Sequence, residues 1–232
     1  MHVTAIVPAA GGGTRFGGPV PKQYLPLQGI PLLAWTLRAL MASRVVNSLV
    51  VVVAPGEETR CRDEVLIPHG LPVDRVVPGG ADRQASVGAG LAVVPAATDL
   101  VLVHDGARPL ITSDVIQCVV LTAATEGAAV VAVQVTDTIK VADAGLRIME
   151  TPVRGRLWAA QTPQVFRVGW LREAYALAQA DGFRGTDDSV LVERLGHPVR
   201  LVPGASENLK ITTPADLARA EQVLRDRAAG GG

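Results

Sequence analysis

Residues 3–24 read VTAIVPAAGGGTRFGGPVPKQY. The opening run, Val3 to Ala10, is apolar without alternation and carries β-branched side chains. That pattern predicts a strand covered on both faces, as in a parallel sheet. The strand runs directly into a glycine cluster. Ala9 and Ala10 are small, and Gly11 and Gly13 let backbone N–H groups approach a ligand closely. Successive amides in such a loop make an anion-binding nest. Arg15 and Lys22 then add full positive charges, and Pro19 and Pro21 stiffen the arm that carries Lys22. At about 13 residues the loop is longer than a usual βα connection, which itself points to function. Two familiar phosphate loops do not fit. A Walker loop needs Gly-Lys-Ser/Thr, and Lys22 stands between Pro21 and Gln23. A dinucleotide fingerprint needs a third glycine where Phe16 stands, and an acidic residue after the second strand, which ends Val53-Ala54-Pro55.

Further apolar runs repeat the theme at Leu49 to Ala54, Leu100 to Val103 and Ala128 to Val133. Helical stripes lie between them: Leu33, Leu37, Leu40 and Met41; Val87, Leu91 and Val94; Val115, Val119 and Thr122. Strand alternating with helix predicts a doubly wound, mostly parallel, Rossmann-like α/β sheet. A last helix starts at Thr213 as N-cap, with Pro214 at its first position and Asp216 in its first turn. The region around 136–160 breaks the rhythm. Thr138 to Val141 and Arg147 to Glu150 read as two short strands around Asp143-Ala144-Gly145, a protruding β-hairpin arm. So small a hairpin is marginal alone, so it is expected to pack on a second subunit. The whole chain, 1–232, is expected to be one domain with this arm as its appendage.

Composition narrows the function classes. The 232 residues are 48% hydrophobic and 19% charged, which excludes an extended disordered chain. Lys plus Arg and Asp plus Glu number 22 each, which argues against a generally basic binder of nucleic acid or membrane, though not against a local basic site. Aromatics are 3%, little material for base-stacking platforms. Cys61 and Cys118 form no C-x-x-C pair and are expected to be buried or half-buried apolar side chains. No secretory leader or membrane-spanning run is seen, so the cytoplasm is the expected compartment. Of the 22 basic residues only Lys22, Lys140 and Lys210 are lysines. Arginine-rich codon usage explains the bias; a lysine that survives it marks a place for a compact point charge rather than a wide fork.

His104-Asp105-Gly106-Ala107-Arg108-Pro109 follows the strand Leu100 to Val103. A carboxylate at the C-terminal end of a strand in an open α/β sheet sits where ligands bind. Beside a phosphate loop, Asp105 suits Mg²⁺, which takes one or two carboxylates plus phosphate oxygens; capping of the next turn is the plainer alternative. His104 is expected to be a structural hydrogen-bonder rather than a general base.

The motif A-A-G-x-G-x-R followed by Pro21-Lys22-Gln23-Tyr24 resembles the 2-C-methyl-D-erythritol 4-phosphate cytidylyltransferases of the non-mevalonate isoprenoid pathway. The resemblance extends along the chain. Gly79-Gly80-Ala81-Asp82-Arg83-Gln84-Ala85-Ser86-Val87 is similar to the family's G-G-x-x-R-x-x-S-V. Asp105 and Arg108 stand in its H-D-A-A-R-P motif, with Gly106 replacing an alanine. Asp137-Thr138-Ile139-Lys140 matches D-T-x-K. Arg154, with Arg156 one step away as the rival, matches an arginine that reaches the acceptor phosphate from the neighbouring subunit. The spacing to Gln161-Thr162-Pro163-Gln164 favours Arg154. Glu207-Asn208-Leu209-Lys210-Ile211-Thr212 matches E-N-x-K-[IV]-T. For Thr186-Asp187-Asp188-Ser189, helix capping is the expected role.

The resemblance implies a fold of the nucleotidyltransferase type and transfer of CMP from CTP to 2-C-methyl-D-erythritol 4-phosphate, with pyrophosphate released. It implies catalytic roles for Arg15, Lys22, Arg154 and Lys210. It places nucleotide at Ala9, Ala10, Gly11, Gly13, Gly80 and Ser86, and substrate at Asp105, Arg108, Thr138 and Thr162. It adds Mg²⁺ at Asp105, and a homodimer formed through the arm. Lys140 is left between a role at the site and support of the hairpin. The nearest rival is a cytidylyltransferase for another polyol phosphate, such as ribitol 5-phosphate. A non-catalytic nucleotide-binding module and an NAD-dependent oxidoreductase are the alternatives from other classes.

Overall fold

The computed structural model describes residues 1–11, 16 and 20–230. In chain order, β1 (Val3–Pro8) is followed, after a 3₁₀ turn at Lys22–Tyr24, by a small ribbon of β2 (Pro26–Leu27) and β3 (Ile30–Pro31), then α1 (Leu32–Ala42) and β4 (Ser48–Val53). Next come α2 (Glu58–Cys61), continued by a π-type turn at Arg62–Leu66, then β5 (Arg75–Pro78), α3 (Arg83–Ala92), β6 (Leu100–Val103), α4 (Ser113–Glu126) and β7 (Ala128–Gln134). The arm carries β8 (Val141–Ala142) and β9 (Ile148–Glu150); β10 (Trp158–Arg167), α5 (Val168–Ala180), α6 (Ser189–Arg194), β11 (Arg200–Pro203) and α7 (Pro214–Gly230) complete the chain.

Seven strands form one sheet in the order β11-β7-β10-β6-β1-β4-β5. Every neighbouring pair is parallel except those made by β10, which runs antiparallel to both β6 and β7. The absence of alternation in the apolar runs now has its cause. Ala5 and Val7 of β1, and Leu49, Val51 and Val53 of β4, join one core cluster with α1 and α4. Ile6, Val50 and Val52, pointing the other way, join a second cluster with α3, α5 and α6. A strand buried on both faces has no polar side to show. A third, smaller cluster joins Leu27, Leu32, Leu110, Ile211 and Ala220, so α7 is tied to the segment that follows the first loop.

The expected α/β sheet and four core strands are present. The arm differs in detail: its first strand is Val141–Ala142 rather than 138–141. The turn itself lies at Asp143-Ala144-Gly145 as expected, where Asp143 Oδ1 accepts from the N–H groups of Gly145 and Arg147, both at 2.9 Å. Beyond the arm, β10 returns into the middle of the sheet, which the sequence pattern did not show. Thr213 caps α7 as expected: Asp216 N donates to Thr213 Oγ1, while Asp216 Oδ2 accepts from Thr212 N and Thr213 N. Cys61 is buried, but Cys118 is exposed, on the outer face of α4. No helix among the described residues is long and apolar enough to cross a membrane.

Candidate active site

The chain leaves β1 toward β4 on one side and leaves β6 toward β7 on the other, although β1 and β6 are neighbours. Two connections that diverge open a crevice at the C-terminal ends of the strands, the usual ligand position in such sheets. A cavity of about 260 Å³ lies there. Ala9, Ala10 and Gly11 line it from the end of β1, Gly80 and Ser86 from the start of α3, Asp105 from the end of β6, and Lys22 and Lys210 from two distant segments. Eight of the residues singled out in the sequence thus meet at one place. Gly13 and Arg15 lie outside the described residues.

Each wall has a local cause. Asp82 caps α3, its Oδ1 accepting from Ala85 N at 2.7 Å. Ser86 Oγ donates to Asp82 O (2.8 Å) and accepts from Gly80 N (3.2 Å), so the hydroxyl first fixes the Gly79-Gly80 turn. Gly79 is required by packing: a Cβ there would lie 2.7 Å from both Ala10 Cβ and Ser86 Oγ. Two loops from different strands therefore touch at a residue that has no side chain.

Asp105 is 6% exposed and lies among three cations. Arg83 Nε is 3.0 Å from Oδ1, Lys210 Nζ is 2.8 Å from Oδ2, and Arg108 Nε is 3.9 Å from Oδ2. Burial alone would push the carboxyl up, but Arg83, Lys210 and Arg108 outweigh it and hold Asp105 well below the usual carboxylate range. Arg83 also reaches Asp188 at 2.8 Å, and Asp188 accepts from Tyr175 Oη. Asp187 takes the capping role, accepting from Val190 N and Ser189 Oγ, whereas Asp188 holds the arginine. Arg83 stands inside the G-G-x-x-R-x-x-S-V motif, but its part in the site was not anticipated. Its two carboxylate partners lie 22 and 105 residues away.

Behind Asp105 runs a short relay. Asp105 N donates to Thr162 Oγ1 at 3.0 Å, and Thr162 Oγ1 lies 3.0 Å from His104 Nδ1. His104 Nε2 is 3.0 Å from Arg108 O, a carbonyl that only accepts, so Nε2 carries the proton and Thr162 donates to Nδ1. His104 is fully buried, and burial pulls its pKa down to about 4. It is neutral and structural, as expected. Thr162 is 4% exposed and does not line the cavity; its hydroxyl faces the backbone of Asp105, so it orders the site from behind.

Lys210 owes its place to a zipped segment. Asn208 Nδ2 donates to Gln161 Oε1 and Thr162 O, Arg108 donates to Asn208 O at 2.7 Å, and Ile211 N donates to Ala107 O. Arg108 is thus a bracket between Asp105 and the Lys210 segment, off the cavity wall. Lys22 Nζ lies 3.5 Å from Ile211 O, which sets the two cavity lysines around one short stretch of chain. Thr138 and Arg154 sit on the arm and do not line this chain's cavity. Arg154 donates to Thr136 O, and exposed Lys140 donates to Thr151 Oγ1, a bond within the arm.

For a divalent cation the donor set is narrow. Among the described residues no group of three or more His, Cys, Asp or Glu side chains could hold a metal. Asp105 is an ionised carboxylate on the cavity wall, and Mg²⁺ needs only one or two carboxylates when phosphate oxygens and water supply the rest. The residues fit a cation that arrives with phosphate, rather than a protein cage.

A family model described as 2-C-methyl-D-erythritol 4-phosphate cytidylyltransferase matches residues 3–226. A protein of that name from Geobacter metallireducens is 45% identical over 231 residues, 98% of this chain and 99% of its own. One from Symbiobacterium thermophilum is 47% identical over 228 residues, 98% and 95% of the two chains. Among solved structures, the 4-diphosphocytidyl-2C-methyl-D-erythritol synthase of Anaerococcus prevotii superposes with a TM-score of 0.85 at 28% identity, covering 97% of this chain and 98% of that one. The 2-C-methyl-D-erythritol 4-phosphate cytidylyltransferase of Thermus thermophilus gives 0.78 at 38% identity, over 97% and 100%.

Proposed function

Because this chain belongs to the 2-C-methyl-D-erythritol 4-phosphate cytidylyltransferase family and is a nucleotidyltransferase that moves CMP from CTP to that acceptor, we propose that the work is done in the crevice between β1 and β6. The observation that carries this reading is the meeting of Lys22, Lys210 and Asp105 with the glycine loop on one cavity.

The acceptor's phosphate is already an anionic nucleophile at neutral pH, so no strong base is required. An oxygen of that phosphate attacks the α-phosphorus of CTP, the bond from the α-phosphorus to the bridging oxygen breaks, and pyrophosphate leaves with the electron pair. The obstacle is electrostatic, since a dianion must approach a triphosphate. Positioning and fixed positive charge are what the protein can supply. In this reading the backbone of Ala9, Ala10 and Gly11 holds the triphosphate, and Gly80 with Ser86 bounds the base. Arg15 and Lys22 stabilise the transition state and the leaving group. Lys210 exchanges its partner Asp105 for the acceptor phosphate. Mg²⁺ would be held by Asp105 together with phosphate oxygens, and when bound it neutralises phosphate charge.

The arm supports a homodimer. Leu146, Ile148, Met149 and Val153 are exposed apolar side chains on it, more than so small a hairpin can leave in water without cost. Docked on a second copy, it would bring Arg154 and Thr138 toward the partner's acceptor phosphate. Two free cysteines and a soluble nucleotide substrate agree with work in the cytoplasm.

The test is product formation from CTP and 2-C-methyl-D-erythritol 4-phosphate, run beside ribitol 5-phosphate, with and without Mg²⁺. Lys22→Ala is expected to lower kcat by about a hundred- to a thousandfold, comparable to loss of an oxyanion donor. A fall of less than about threefold removes Lys22 from the mechanism.

A further inference from the structure

Lys22 opens a short turn whose third residue, Tyr24, is buried. The 3₁₀ turn Lys22–Tyr24 closes with Tyr24 N donating to Pro21 O and Leu25 N to Lys22 O. Tyr24 is 7% exposed and its ring belongs to the core cluster that includes Leu37, Val65 and Leu66. Over that ring lies Arg60, its guanidinium carbon 4.3 Å from the ring centroid. Arg60 is itself held in place, Nε at 3.0 Å from Glu64 Oε2 and a terminal nitrogen at 3.4 Å from Glu57 Oε2. Glu57, Arg60 and Glu64 all belong to the α2 region, far from the cavity in sequence and off its lining.

We propose that Arg60 is a positioning residue for the reaction: by capping the Tyr24 ring it locks the turn that aims Lys22 at the cavity. The reasoning is geometric. Lys22 has a long, rotatable stem, so the direction of its ammonium depends on how rigidly the first atoms of the stem are held. The turn is anchored on one side by Leu25 and Leu27, which pack in the small cluster with Ile211, and on the other by Tyr24, whose ring enters the main core cluster. A guanidinium stacked on the ring face, with both sides tethered to carboxylates, fixes the second anchor. Displacement of a catalytic group by about 1 Å can cost on the order of a hundredfold, so even partial release of the turn has a kinetic consequence.

The inference rests on Lys22 acting in catalysis, and a double-mutant cycle separates the two ideas. Arg60→Ala is expected to lower kcat about tenfold with both KM values within about twofold of the parent. Arg60→Lys, which keeps a cation over the ring, is expected to return kcat to within about threefold. In a Lys22→Ala background, Arg60→Ala is expected to change kcat by less than about twofold. Equal loss of kcat from Arg60→Ala in both backgrounds overturns the proposal, as does a fall in melting temperature with kcat unchanged. If Lys22→Ala alone leaves kcat intact, the fault lies with the role of Lys22 rather than with the clamp. Arg60 keeps part of its side chain in solvent, so the variants are expected to fold, and circular dichroism of each checks this.

Discussion

Replacing Thr162 by Val tests whether this hydroxyl serves the substrate or the fold. Valine keeps the shape and removes one oxygen. That oxygen accepts from Asp105 N at 3.0 Å and donates to His104 Nδ1 at 3.0 Å. The site is closed to solvent, so both partners are left buried without a mate. Each such loss costs about 1–3 kcal/mol, and the sum is about 2–6 kcal/mol. In a chain of this length 1 kcal/mol moves the melting temperature by about 2–4 °C, so a drop of about 4–24 °C follows. Urea unfolding near neutral pH, followed by circular dichroism, gives the free energy directly, and steady-state kinetics on the same samples gives the site's share. Thr162→Ser, which keeps the hydroxyl, should recover most of the stability. A Thr162→Val protein less than about 1 kcal/mol weaker, but with a raised acceptor KM, would refute the relay and return Thr162 to the substrate.

Four further outcomes are expected. His104 is held near 4, below its ordinary 6.5, so the unfolded chain takes up the proton first and stability falls as pH drops through that window, by up to about 3 kcal/mol. Urea unfolding at about pH 7.5 and about pH 4.5 reads the loss, and His104→Gln should flatten it; the Asp105 contribution is lost only below pH 3.8, outside the range. Gly79→Ala forces a Cβ to within 2.7 Å of Ala10 and Ser86 and should raise the KM for CTP at least about tenfold, whereas Gly169→Ala, whose Cβ meets nothing within 4 Å, should leave it unchanged. Arg154→Ala should raise the acceptor KM about tenfold with the CTP KM steady, and Leu146→Asp with Met149→Asp should shift sedimentation from dimer to monomer; a parent protein that sediments as a monomer would end the arm's proposed role.

The parts of this fold that were legible in sequence are those where burial is two-sided. β1, β4, β6 and β7 read as unbroken apolar runs because successive residues enter opposite core clusters. β10 escaped because it carries Gln161, Thr162 and Gln164 into the interior, where they are hydrogen-bonded rather than replaced by apolar side chains, and because its pairing with β7 shifts between Ala160 and Gln164. β5 and β11 lie at the sheet edges, are four residues long and are only partly covered, so no pattern marks them. At the site, residues next to strand ends were found directly: Ala9 to Gly11 after β1 and Asp105 after β6. Arg83, Asp188 and Asn208 act through partners 22 to 105 residues away, and spacing along one segment carries no trace of such pairs.

The division of labour between the two cation types follows from the same geometry. Arginines dominate the chain's 22 basic residues, and near Asp105 they act as brackets. Arg83 spans Asp105 and Asp188 with two nitrogens, and Arg108 spans Asp105 and the Asn208 carbonyl. A planar fork can join two fixed acceptors, and once it does so its removal leaves a buried carboxylate without compensation. The cavity lysines are placed differently. Lys210 meets Asp105 through a single ammonium and stays more than one-third exposed, and Lys22 Nζ lies 3.5 Å from the Ile211 carbonyl. A point charge on a flexible stem can leave one oxygen for another without dismantling a network. A site in which phosphates arrive and pyrophosphate departs needs cations of that kind at its surface and brackets of the other kind beneath. Exchanging Lys210 for Arg should therefore not be conservative: the fork would engage both oxygens of Asp105, and the acceptor phosphate would have to break a two-bond pair instead of one.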